Sequence, residues 1–217
     1  MIDLPADAFP HAAGYLNTAS LGLPPATAIS AMGADLDRWQ AGAATPPGYD
    51  DAVGSARILF ARLIGVPPAR VAVGSQVSGF VGLVAASIPD GAVVVCPQGE
   101  FTSVLFPFLV QGGRRIDVRT VPFTEIAEAV TTEVDVVAAS LVRSDDGRVA
   151  DLAALTAAAR AADALTVVDA TQAAGWLPID AAGVDILVAG AYKWLLSPRG
   201  TAFMAVRPEV MSEITPI

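Results

Sequence analysis

Six short, nearly all-apolar runs recur along the chain: RVAVG at 70–74, AVVVC at 92–96, DVVAAS at 135–140, LTVVD at 165–169, DILVA at 185–189 and AFMAV at 202–206. Runs of four to six residues rich in valine and flanked by Gly, Pro or Asp predict strands buried on both faces. Between several of them the pattern changes to alanine-rich or amphipathic stretches of helical character: ADLDRWQ at 34–40, SARILFARLIG at 55–65, VSGFVGLVAASI at 77–88 and LAALTAAARAAD at 152–163. Strands alternating with helices predict an α/β fold of three layers, a mostly parallel sheet with helices on both faces. Such sheets bind ligands beyond the C-terminal ends of their strands.

Composition narrows this picture. The 217 residues are 53% hydrophobic and 16% charged, enough to bury a sizeable core and, by this reading, part of a subunit interface. A net charge of -9 leaves no broad basic surface for phosphates, so nucleic-acid binding is not expected. Cys96 is the one cysteine; it forms no internal disulfide and reads as a buried strand residue. His11 is the one histidine, so no histidine cluster exists for a metal and little scope for a Ser-His-Asp triad. The acidic, proline-containing start resembles no targeting peptide, and no apolar run approaches the roughly 20 residues of a membrane span. A cytosolic location is expected.

Polar residues gather at the predicted strand ends. Gly74, Ser75 and Gln76 follow one strand and open a helix, whose free N–H groups and dipole suit a phosphate. GSQVSGFV has the glycine spacing of a nucleotide-binding P-loop, but Phe80 and Val81 stand where Lys and Ser/Thr are needed. Asp169 ends LTVVD, with Gln172 one helical turn further on. Lys193, in AGAYKWLLSPRG, is the single lysine among thirteen basic residues. Arginine stays protonated near neutral pH, whereas a buried lysine can become an amine nucleophile. An acid, an amine and a phosphate-binding helix start around one crevice suit pyridoxal phosphate: the amine takes the aldehyde and the carboxylate keeps the pyridine nitrogen protonated.

VVDATQAAGWLPID followed by VDILVAGAYKWLLSPRG resembles the class V aminotransferase and cysteine desulfurase group of fold-type I pyridoxal phosphate-dependent enzymes, and YLNTASLGLPP and GSQVSGF fit the same group. The resemblance runs from about Tyr15 to about Pro208. It implies a fold-type I transferase large domain that binds pyridoxal 5'-phosphate and acts on a small amino-acid substrate, by aminotransferase or cysteine desulfurase and lyase chemistry. Carried over by position, Lys193 is the Schiff-base residue and the base at the substrate α-carbon. Asp169 pairs with the ring nitrogen, Gln172 bonds the phenolic oxygen, Ser75 and Gln76 hold the phosphate, and Phe101 in GEFTS stacks on the ring. Ser144 stands where an Asn commonly reaches the cofactor oxygen, and Tyr192 replaces the commoner His before the lysine. Gly190 stands three residues before the lysine, where Ser or Thr often binds phosphate.

The resemblance further implies a homodimer, with Arg199 and Gly200 in SPRG as interface elements. It divides the chain into an N-terminal segment, 1–48, and a cofactor-binding large domain, 49–217. Family members usually continue into a smaller C-terminal domain carrying the substrate-carboxylate arginine; this sequence has none after Ile217, so a partner chain supplying that half is one expectation. The competing readings are a truncated interaction module without catalysis and a nucleotide-binding α/β domain.

Overall fold

The computed structural model describes residues 7–215. Seven strands among them form one sheet: β1 (Val71–Gly74), β2 (Val93–Pro97), β3 (Asp117–Val121), β4 (Val136–Ser140), β5 (Leu165–Asp169), β6 (Ile186–Gly190) and β7 (Ala202–Val206). Their order is β1-β7-β6-β5-β4-β2-β3. Only β7 runs antiparallel to its neighbours; the remaining pairs are parallel. The six predicted strands are β1, β2 and β4 to β7, each within a residue or two.

β3 was not predicted. Its sequence, DVRTV, alternates polar with apolar residues and lies at the sheet edge, where its exposed positions carry charge that keeps further chains from pairing. An apolar-run criterion passes over such a strand.

Six α-helices lie among the described residues: α1 (Ala26–Gln40), α2 (Pro46–Leu63), α3 (Val77–Ser87), α4 (Thr102–Leu109), α5 (Leu152–Ala162) and α6 (Pro208–Met211). α2 spans the boundary expected at residues 48 and 49. Alternate residues of each central strand enter two cores. Val137, Ala139, Val168 and Leu187 pack with Phe60 of α2 and Leu155 of α5, while Val136, Ala138, Val167 and Val188 pack with Val81 of α3 and Phe108 of α4. Both faces of the sheet are therefore covered, the condition under which a parallel sheet reads as continuous apolar runs. Cys96 is fully buried in the second core, and burial pushes its thiol up to about 12. No described helix is long and apolar enough to cross a membrane.

Candidate active site

A cavity of about 430 Å3 opens beyond the C-terminal ends of β1, β4, β5 and β6. Every site residue expected from the sequence lines it: Ser75 and Gln76, Phe101 and Ser144, Asp169 and Gln172, Tyr192 and Lys193. They come from five separate stretches of chain, and the sheet order brings them together. β5 and β6 are neighbours, so Asp169, the last residue of one, and Lys193, three residues past the other, reach the same space.

The lysine turn is tightly built. Ala191 donates to Thr201 O at 2.9 Å and Ser197 to Ala191 O at 3.0 Å, closing the loop on itself. The N-terminal segment crosses it, with Gly22 N donating to Tyr192 O at 2.8 Å. A Cβ on residue 22 would lie 2.0 Å from Lys193 O, so only glycine allows this approach. Gly190, where Ser or Thr was the commoner expectation, has the same logic: a Cβ there would sit 3.0 Å from the Tyr192 ring, which fills that space.

Lys193 is buried, and its Nζ lies 5.3 Å from the centroid of the Phe101 ring and 5.8 Å from that of Tyr192. Burial lowers its pKa; Asp169 opposes that shift and Arg199 adds to it. Asp169 is also buried, its Oδ1 accepting from Thr171 N at 2.8 Å. Burial raises its pKa to about 6 against the bonds from Thr171, with Glu100 pushing further up and Lys193 pulling down. The two groups thus moderate each other across one shared cavity.

At the other side, Gln76 precedes α3 in extended conformation and no side chain caps the helix. Its first turn, with Val77 and Ser78, faces the cavity. Gln172 is more committed than expected: its Nε2 donates to Ala19 O at 3.0 Å and to Ser144 Oγ at 3.4 Å, and its Oε1 accepts from Trp194 Nε1 at 2.9 Å. The amide ties the N-terminal segment, the lysine turn and the β4 loop together. Arg199 lines the mouth with its guanidinium over the Tyr192 ring, 4.8 Å from the centroid.

Polar residues at or beside the site that escaped the sequence reading include Thr171, Ser140 and Glu100. Thr171 Oγ1 accepts from Gly190 N at 2.9 Å, joining the ends of β5 and β6. Glu100 is buried and bonds Ser140. A threonine beside an aspartate and a glutamate beside a phenylalanine carry no spacing signal; their roles exist only in the fold.

The family model described as aminotransferase class-V matches residues 55–217. The chain belongs to that family. Among curated relatives, an uncharacterized aminotransferase, YcbU, of Bacillus subtilis is 32% identical over 170 residues, covering 74% of this chain and 46% of the relative. Isopenicillin N epimerase of Streptomyces clavuligerus is 30% identical over 177 residues, covering 74% and 44%. The chain thus spans about half the length of the curated relatives it matches. A solved structure of C-DES, with glycine covalently linked to its pyridoxal phosphate, superposes with TM-score 0.89 at 20% identity, covering 99% of this chain and 62% of that one. That likeness shows the fold, the large domain of fold-type I transferases. Class V aminotransferases are pyridoxal phosphate enzymes, and pyridoxal 5'-phosphate is the cofactor of this family.

Proposed function

We propose that this chain forms the cofactor-binding part of a pyridoxal phosphate enzyme that acts on a small amino acid, by aminotransferase or cysteine desulfurase and lyase chemistry. The observation that carries the reading is the shared cavity of Lys193 and Asp169: a buried amine with a lowered pKa and a buried carboxylate, on adjacent strand ends. The donor set fits the group. Ser75, Gln76 and the uncapped first turn of α3 offer hydroxyl, amide and N–H donors for a phosphate. Phe101 offers a ring face on one side, and Asp169 is an acceptor for a protonated ring nitrogen.

Bound there, pyridoxal phosphate supplies an aldehyde for the lysine amine and a protonated ring that draws electrons from an amino acid's α-carbon. The chain's own residues do the rest. Asp169 holds the proton on the ring nitrogen. Burial lowers the pKa of Lys193, which favours the neutral amine whose Nζ can attack a carbonyl carbon and later take the proton from the α-carbon. Ser144 and Gln172, together at the β4 loop, are placed for the phenolic oxygen. Gln172 Nε2 gives up its 3.4 Å bond to Ser144 for that purpose more readily than its 3.0 Å bond to Ala19 O. Tyr192 and Phe101 keep water from the amine. A homodimer in the cytosol, and a partner or further segment supplying the substrate-carboxylate cation, belong to the same proposal.

Purified protein mixed with pyridoxal phosphate should develop a visible absorbance band, and borohydride should then fix the cofactor's mass on the peptide containing Lys193. Lys193→Ala should show neither. A label elsewhere, or an equal band in both proteins, would overturn the assignment.

A further inference from the structure

Glu100 lies at the turn between β2 and α4, and its side chain is 8% exposed. The functional proposal gives it no role, yet its carboxylate accepts three hydrogen bonds. Phe101 N donates to Oε1 at 2.7 Å, Ser140 Oγ to Oε1 at 2.5 Å and Ser140 N to Oε2 at 2.8 Å. Ser140 ends β4 in register with Asp169 on β5. One side chain therefore ties the start of α4 to the strand end beside the catalytic acid. The residue whose amide it holds, Phe101, places its ring over the Lys193 amine.

We propose that Glu100 is a positioning residue for Lys193: by fixing the Phe101 amide to the end of β4, it holds the Phe101 ring over the amine and keeps water from that side. The Phe101 carbonyl accepts from Val104 N at 2.9 Å and Leu105 N at 3.1 Å within α4, and no side chain caps that helix, so the Glu100 carboxylate is what joins the Phe101 amide to the end of β4. Phe101 is 39% exposed, and its ring covers the amine on one side only. A buried carboxylate accepting three bonds is a stiffer anchor than an apolar contact, because releasing any one leaves a desolvated polar group unpaired. The groups that act on Lys193 are Asp169, Arg199 and the Tyr192 ring; Arg143 and Asp169 lie in the charge field of Glu100.

The single lysine makes the test direct. In protein free of cofactor, the pH profile of Lys193 acetylation by acetic anhydride, read by mass spectrometry of its peptide, reports one side chain. Phe101→Ala should admit water and move the profile up towards that of an ordinary lysine, lowering the rate at pH 8 by about three- to tenfold. Glu100→Gln should move it the same way, and the double variant no further than the larger single change, because the two act in series. Removing the Glu100 charge also lowers the pKa of Asp169, which raises that of Lys193, so the Phe101 route is identified by the double variant and by Ser140→Ala, which keeps the charge. An unmoved or downward shift in Glu100→Gln, or fully additive shifts, overturns the proposal. Should Glu100→Gln not fold, Ser140→Ala, which deletes one of the three bonds and keeps the charge, must shift the profile upward by a smaller amount, and no shift there is equally fatal. The measurement uses no cofactor, so failure to bind pyridoxal phosphate and failure of this proposal are separate results.

Discussion

Asp169 shows how a single residue sets a conflict between binding and stability. Burial pushes its pKa in the folded protein up to about 6 from an ordinary value of 3.8. Below pH 3.8 both the folded and unfolded forms are protonated and the residue costs nothing. As pH rises to about 6, the unfolded chain has lost its proton while the folded one retains it, so this contribution falls; above that the cost is complete. The shift of about two units corresponds to roughly 3 kcal/mol as an upper bound. Asp169→Asn should therefore stabilise the cofactor-free protein at pH 7 by about 1–3 kcal/mol in urea unfolding, and the advantage should vanish near pH 4. A variant no more stable than wild type at pH 7 would show that the carboxylate is not strained by burial.

Among elements, α2 packs on the sheet through the buried side chains of Phe60, Ala61 and Ile64, and the rings of Phe60 and Phe203 on β7 stack with centroids 4.4 Å apart and planes 9° from parallel. Phe60→Ala leaves a void between α2 and β7 and should cost about 3–5 kcal/mol, measured by denaturant titration. A cost below about 1 kcal/mol would mean that the helix is held by something else. The central strands and the helices that follow the helical period were readable because burial on both faces writes itself as uninterrupted valine and alanine. α4 was not readable. After Thr102 and Ser103, FTSVLFPFL is apolar to its end and contains Pro107, so neither period nor composition separates it from a strand or loop. The site residues at strand ends were legible because an isolated Asp or Lys after an apolar run stands out; Glu100 and Thr171 act by what they touch across the sheet, which one-dimensional spacing does not record.

Across the whole molecule, large apolar side chains are left exposed on α1 and α2. α1 buries none of its residues, and Trp39 is 70% exposed, as is Leu59 of α2 at 62%. Faces of this kind mark contact surfaces. Expressed alone, the chain should sediment as a dimer or larger species, and Trp39→Lys combined with Leu59→Lys should shift it towards the monomer with little change in melting temperature. A wild-type monomer at the same concentration would reject this. The crossing of the N-terminal segment over the lysine turn has a separate consequence, for the time order of folding. Ala19 bonds a side chain 153 residues further along, and Gly22 bonds the residue before Lys193. Ribosomes add about 5–20 residues per second, so the first-made part of the chain waits on the order of ten to thirty seconds for its partner to emerge. Until then the cavity lacks one wall, and a cofactor molecule that arrives early meets a half-built pocket.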